Sequence, residues 1–348
     1  MTNSEMQGSS RVRVAMVGCG RIGKAHLRTM LQMQATTEVV AVLEPSPAAY
    51  ADIAPLFDAA QLPVPPNFPT LEELLTRLGS ELDAVMINTP HAYHHDQAQA
   101  CMEAGLDVLL EKPMVISGAE AESLMATRDR TGRLLVVAFP GSLSPRVRHA
   151  VSLLRSGDLG RLLTVNGEAW EHWRVPNIGT WRQVPEIAGG GFFFDTGAHL
   201  LNTVADLTGE DFVEVAAWLD NLDTPVEIFG VAMAKLASGA LVTFNVCGDT
   251  VSQARSHIRL CLTDAVMEVG IWGEKLTLQR TRTDAPLDVP VAPSLGVWDQ
   301  FLAVRAGKMA NPCPPEVGLR MARLWDAIRA SAAQGGQAVQ VAGAPRMA

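Results

Sequence analysis

Disulfide pairs, metal clusters, long apolar runs and positive charge are all scarce in this 348-residue sequence. The five cysteines, Cys19, Cys101, Cys247, Cys261 and Cys313, are odd in number, scattered and never spaced C-x-x-C. That argues against a disulfide framework or a zinc knuckle and fits a reducing cytoplasm. Nowhere do 18 apolar residues follow one another, so no membrane-spanning helix is expected. The opening MTNSEMQGSSRVRVAMVG has no basic stretch followed by an apolar one, so a soluble, cytoplasmic protein without a membrane partner is the expectation. Lys and Arg number 28 against 37 Asp and Glu, a net charge of -9 that repels phosphate backbones; nucleic acid is not an expected partner. Charged residues make up only 19%, while 48% of the chain is hydrophobic, far too much for a disordered polypeptide.

What is present organises into two parts, as the length suggests at roughly 150 residues per domain. From Arg11 to about Pro140, short apolar runs (Val12–Val17, Val39–Glu44, Ala84–Asn88, Asp107–Leu110, Leu134–Phe139) alternate with helix-length amphipathic segments. That alternation builds a doubly wound parallel sheet with helices on both faces. Thr70-x-x-Glu73 and Ser117-x-x-Glu120 read as capping boxes, and the Pro-rich Leu62–Pro69 stretch as a connector. After residue 140, a helix over Pro145–Ser156 precedes alternating runs near 161–171, 213–219, 226–236, 240–247, 256–262 and 275–280. With few helices between them, those strands are expected to be antiparallel, with a hairpin turn at Ala237-Ser238-Gly239. Helical patterns at Val297–Ala306 and Pro315–Ala333 close the chain and could pack on either part. The expected organisation is therefore an α/β protein: residues 1–140 as a dinucleotide-binding domain, and 141–348 for substrate binding and oligomerisation.

Gly18-Cys19-Gly20-Arg21-Ile22-Gly23 directly follows the first strand and opens a helix, the context in which G-x-G-x-x-G marks a dinucleotide site. Glycines let the backbone approach a pyrophosphate, and the helix N-terminus offers free N–H groups and a positive dipole end. Glu44 ends the second strand, 21 residues after Gly23, where a carboxylate accepts hydrogen bonds from both ribose hydroxyls of NAD. A 2′-phosphate would be repelled there, and Pro45-Ser46-Pro47 supplies no cation to receive it. NAD is expected over NADP.

Oxidising an alcohol requires a group to take the hydroxyl proton and a cation or donor to steady the developing oxyanion. Glu111-Lys112-Pro113 lies just past a strand of the parallel sheet, at the carboxyl edge where such sheets bind ligands. In Gly189-Gly190-Gly191-Phe192-Phe193-Phe194-Asp195-Thr196-Gly197-Ala198-His199, Asp195 and His199 stand four apart, so on a helix they share a face. Trp170, His172, Trp173 and Arg174 could line a substrate pocket. His91, His94 and His95 lack an accompanying cysteine or carboxylate cluster, so no metal site is expected.

The glycine motif with His26 beyond it, Thr89-Pro90-x-x-x-His94, Glu111-Lys112-Pro113, Trp181-Arg182, the triple glycine and Asp195-x-x-x-His199 resemble, in that order, the Gfo/Idh/MocA family of oxidoreductases. The resemblance implies a Rossmann domain followed by an α/β domain with a large, open-faced, mostly antiparallel sheet, whose uncovered face leaves apolar surface that monomers rarely expose, so a homodimer or homotetramer is expected. It also implies NAD(P)-dependent oxidation or reduction of a sugar, cyclitol or related polyol. Lys112, Asp195 and His199 would then be catalytic, with His199 as general acid/base. Thr89, Pro90, His94, Glu111 and Lys112 would join Gly18, Gly20, Arg21, Ile22, Gly23 and Glu44 at the cofactor, and Arg182 would contact substrate. Two positions depart from the family pattern. Asn202 stands where members commonly have Asp in H-x-x-D, and Pro140-Gly141-Ser142 stands where an Arg often precedes a Pro. Two other readings remain: a nucleotide-binding sensor that lost the chemistry, and an NAD-dependent glycoside hydrolase leaving no net NADH.

Overall fold

The computed structural model describes residues 11–251 and 256–344. Strands β1 (Val12–Val17), β2 (Thr37–Leu43), β3 (Ala84–Ile87), β4 (Asp107–Leu110) and β5 (Leu135–Val137) form a parallel sheet in the order β2-β1-β3-β4-β5. Every residue of β3 is buried, as expected of a strand covered on both faces. Because β2 and β3 flank β1 on opposite sides, the chain changes direction there, and the carboxyl ends of β1 and β3 open the crevice where ligands of such sheets bind. The helices around it start as their sequences dictate. Thr70 Oγ1 accepts from the N–H of Glu73 at 3.1 Å and Ser117 Oγ from that of Glu120 at 3.3 Å. Asn67, within the Pro-rich connector, bridges to β2 at Val42.

The second sheet has nine strands. They are β6 (Leu162–Trp170), β7 (Phe212–Asp220), β8 (Phe229–Leu236), β9 (Leu241–Cys247), β10 (His257–Leu262), β11 (Val266–Val269), β12 (Leu276–Gln279), β13 (Leu287–Asp288) and β14 (Val339–Gln340). Their order is β13-β12-β11-β10-β6-β9-β8-β7-β14. The expected hairpin at Gly239 forms, with φ +88° at the glycine and Leu236 N–H bonded to Ala240 O at 2.9 Å. One expectation needs correction, and one strand was not anticipated. The β6–β9 pair is parallel, not antiparallel, because the helical segment after β6 carries the chain across the sheet before it returns. β11, four residues long, is too short for its alternation to be read. Along β8 buried and exposed residues alternate, leaving Phe229, Val231 and Met233 outward.

The two closing helices tie the sheets together. In the Val297–Arg305 helix, Trp298 Nε1 donates to Thr37 Oγ1 at 2.8 Å, and Arg305 reaches Asp107 at 2.9 Å and Asp83 at 3.0 Å, so this helix covers the first sheet. The Pro315–Ala333 helix packs on β7 and on the Gly118–Thr131 helix, touching both parts. Among the described residues no helix is long and apolar enough to cross a membrane.

Candidate active site

At the carboxyl end of β1, Gly18 takes φ +87°, a left-handed conformation that a side chain would oppose, and a Cβ there would stand 2.9 Å from the carbonyl oxygen of Asn88. A Cβ on Gly23 would overlap the carbonyl of Gly18, so this glycine lets the Arg21–Met30 helix sit against the strand and does not itself face the crevice. Gly20, by contrast, has open space before it. The crevice, a cavity of about 550 Å³, is lined by Gly18, Gly20, Arg21, Ile22, Glu44, Thr89, Pro90, Glu111 and Lys112. His91, Tyr93, Gln97 and Trp181 line it as well. Glu44 is held in place: its Oε2 accepts from Cys19 N–H at 2.7 Å and its Oε1 from Ser46 N–H at 2.8 Å. Asn67 brackets its backbone from the connector, through both N–H and C=O at 2.9 Å.

His94 departs from expectation. It is wholly buried behind the crevice wall, with Nδ1 2.8 Å from Pro113 O and Nε2 2.9 Å from Thr89 O. It therefore braces the two segments that carry Thr89 and Lys112 instead of meeting a ligand. His91 takes the lining position, its Nδ1 2.8 Å from Ala188 O. Burial pushes its imidazole down to about 3, outweighing the pull of Asp195, so it is neutral.

Beyond Lys112 the crevice continues into a second cavity of about 690 Å³. Arg21, Ile22, Glu111, Lys112 and Arg182 line both. Lys112 Nζ donates to Asp195 Oδ1 at 2.9 Å and to Asp195 O at 3.0 Å. The other carboxylate oxygen, Oδ2, accepts from Trp173 Nε1 at 2.9 Å and from Arg182 Nε at 3.1 Å. Burial would raise the Asp195 carboxyl, but the cations Lys112 and Arg182 outweigh it and hold the group ionised, far below the usual carboxylate range. An ammonium has three donors; Asp195 uses two of those on Lys112 and leaves one for a ligand.

Asp195 closes the short Phe192–Asp195 helix, and His199 lies in the next, Gly197–Thr208, across a break at Thr196. The single helix that the spacing predicted is thus two, yet both side chains line one cavity. Burial, reinforced by Lys112, lowers the His199 imidazole well below its ordinary value, leaving a neutral ring. Phe139 and Trp272 pack against it, each with ring centres 5.9 Å away.

Glu171, Asn177, Thr180 and Trp272 line this cavity and were not singled out from sequence. Glu171 follows β6 beside Trp170, His172 and Trp173, and burial raises its carboxyl. A carboxylate amid that polar and aromatic strand end was the available signal. His172 and Trp173 are in the wall; Trp170 is not, and Arg174 is taken up by Asp249 at 3.0 Å. Among the described residues no group of three or more His, Cys, Asp or Glu side chains could hold a metal ion.

Residues 12–139 match the family described as "Oxidoreductase family, NAD-binding Rossmann fold", and residues 147–268 the "GFO/IDH/MocA C-terminal domain". The chain belongs to the Gfo/Idh/MocA family. It is 33% identical over 226 residues to a protein of Amycolatopsis mediterranei named as the oxidoreductase subunit of UDP-kanosamine synthase, covering 60% of this chain. The chain spans about three fifths of the length of the curated relatives it matches, 58% in that instance. Among solved structures, an aldose-aldose oxidoreductase from Caulobacter crescentus complexed with glycerol superimposes with a TM-score of 0.80 at 21% identity, covering 95% of this chain and 100% of that one. A levoglucosan dehydrogenase in complex with NADH and levoglucosan gives 0.81 at 21%, covering 95% and 99%. At these identities the likeness is one of fold. The two departures from the family pattern touch each other: Asn202, buried behind His199, donates Nδ2 to Ser142 Oγ at 2.9 Å.

Proposed function

We propose that this protein is an NAD-dependent oxidoreductase acting on a secondary alcohol, or the corresponding ketone, of a sugar, cyclitol or related polyol. The observation that carries this reading is the Lys112–Asp195 pair at the junction of the two cavities, with neutral His199 in the same wall. The residues suit a dinucleotide: the glycine turn leaves room where a Cβ would not, and Glu44 is fixed where ribose hydroxyls would lie. NAD, when bound, supplies the hydride acceptor.

The chain supplies the rest. The free donor of Lys112 steadies negative charge on the reacting oxygen. His199, neutral before reaction, takes the hydroxyl proton and returns it in the reverse direction. Asp195 holds Lys112 in place through two hydrogen bonds, and is itself fixed by Trp173 and Arg182. Arg182 and Glu171 offer donors and acceptors to further hydroxyls of a polyol, and Trp272 a flat apolar surface. NAD is preferred over NADP because the Glu44 carboxylate would repel a 2′-phosphate.

A screen for NADH absorbance across polyols, inositols and aldoses tests this reading, and absence of NADH formation with every class would overturn it. Glycoside cleavage without net NADH would favour the hydrolase, and NAD binding without either reaction the sensor. The outward face of the nine-stranded sheet presents Trp218 (48% exposed), Met233 (53%) and Leu241 (56%), apolar surface suited to a second copy of the chain. A homodimer or homotetramer joined there is expected, and a monomer by light scattering at micromolar concentration would refute it.

A further inference from the structure

The reaction above assigns nothing to Glu227, a carboxylate buried in the connection between β7 and β8. A buried carboxylate must be compensated by donors, so its neighbours indicate what it does. Its Oε1 accepts from Gly191 N–H at 2.5 Å and lies 3.4 Å from the N–H nitrogen of Phe194. Its backbone carbonyl accepts from Phe192 N–H at 2.9 Å. All three donors belong to the first turn of the Phe192–Asp195 helix, whose N–H groups have no partner within the helix. Gly191 lacks a side chain for the same reason: a Cβ there would overlap the Glu227 carbonyl. Gly191 O in turn accepts from Asp195 N–H at 2.8 Å, and Asp195 O accepts from Lys112 Nζ at 3.0 Å. A hydrogen-bonded path thus runs from the Glu227 carboxylate through Gly191 and Asp195 to Lys112.

We propose that Glu227 is a positioning residue that clamps the Gly191–Asp195 turn, so that the Asp195 carboxylate meets Lys112 at the cavity. The proposal rests on the oxidoreductase reading above. Burial pushes the Glu227 carboxyl up to about 7, with its own backbone N–H and those of Gly191 and Phe194 opposing that rise, and Arg329 of the Pro315–Ala333 helix adding to them. Arg329 is itself bonded to Asp326 at 2.6 Å. On the turn side, residues 189–194 are glycine and phenylalanine and carry no ionisable group; Asp195 follows them. Ionised, Glu227 makes charge-assisted bonds to the turn; protonation near neutrality weakens them. Turnover should therefore fall on the acid side of about pH 7 through this group.

The test compares wild type, E227A and E227Q at pH 6 and 8, by kcat, NAD affinity and amide hydrogen exchange over residues 189–199. E227A should lower kcat by about tenfold or more and speed exchange at Gly191 and Phe194, with NAD affinity within about twofold, because the glycine motif is remote from the turn. E227Q keeps an acceptor oxygen. It should recover most of kcat at pH 8 and lose the wild-type difference between pH 6 and 8. A folded E227A with wild-type kcat and exchange overturns the proposal, as does E227A losing NAD affinity in step with kcat. If E227A fails to fold, E227Q decides: a pH profile superimposable on wild type overturns it. Should wild type make no NADH from any compound, the oxidoreductase reading has failed, and the exchange rates at Gly191 and Phe194 still decide whether Glu227 holds the turn.

Discussion

Around the crevice above β1 and β3, the groups that face a ligand come from short contiguous stretches, and much of what they offer is backbone. Gly18 to Ile22 run from one turn into the start of the following helix, and Glu44 directly follows β2. In the adjoining cavity the groups are side chains from segments far apart in the chain: Lys112, Glu171, Trp173, Arg182, Asp195, His199 and Trp272. The first region works through a conformation that glycine permits. The second works through a balance of buried charge, in which Lys112 and Arg182 keep Asp195 ionised against its burial. Substitutions in the crevice should therefore change which cofactor binds, and those in the cavity how fast the reaction runs.

Lys112→Met and His199→Ala give the sharpest form of that contrast. Each should lower kcat by roughly 10²–10⁴-fold, the scale for losing a positioned charge or proton acceptor. NAD affinity should change little, above all for His199→Ala. Near-normal turnover of His199→Ala on the true substrate would break the assignment. Next in size is the cofactor preference: titrations at equal ionic strength should give NAD at least about tenfold tighter than NADP, about 1.4 kcal/mol. Equal affinities would remove the role given to Glu44.

Trp173→Phe keeps a ring in the wall and removes one donor to Asp195 Oδ2, leaving Arg182. A loss of about tenfold in kcat is expected, with NAD affinity unchanged by calorimetry. The last effect concerns the pH dependence of stability and leaves the reaction itself aside. His91 has a folded value of about 3 against an ordinary 6.5, so between those values the unfolded chain binds a proton that the folded chain does not. The stability it contributes is fully present above pH 6.5 and is lost as pH falls toward 3. Urea midpoints should drop from pH 7.5 to 5, and His91→Asn should make that drop shallower; an unchanged slope would show that His91 is protonated in the folded protein.

Local chemistry explains why so much of the crevice was legible in the sequence. A left-handed glycine, a helix N-terminus and a carboxylate at a strand end announce themselves within a few residues. His94 misled because the family resemblance implies a place at the cofactor, while its ring, held between Pro113 O and Thr89 O, lies behind the wall. Glu171 was overlooked because a lone carboxylate at a strand end resembles any solvated charge. The break at Thr196 was invisible for another reason, since helical spacing is nearly the same whether one helix or two carry the residues.

By itself the sequence determined the parallel sheet, the glycine turn, Glu44, the positions of Lys112, Asp195 and His199, and the strand-rich second part, because periodicity and turn chemistry act over neighbouring residues. Tertiary structure alone decided that β6 pairs with β9 in parallel, that the Val297–Arg305 helix returns to the first sheet, and that Asp195 is ringed by Lys112, Trp173 and Arg182. The same holds for Glu227, whose carboxylate meets Gly191 across 36 residues of chain. The balance of burial against neighbouring charges and donors sets the protonation of Asp195, His199, His91 and Glu227. It depends on what the rest of the chain brings around each group, and no stretch of neighbouring residues specifies that.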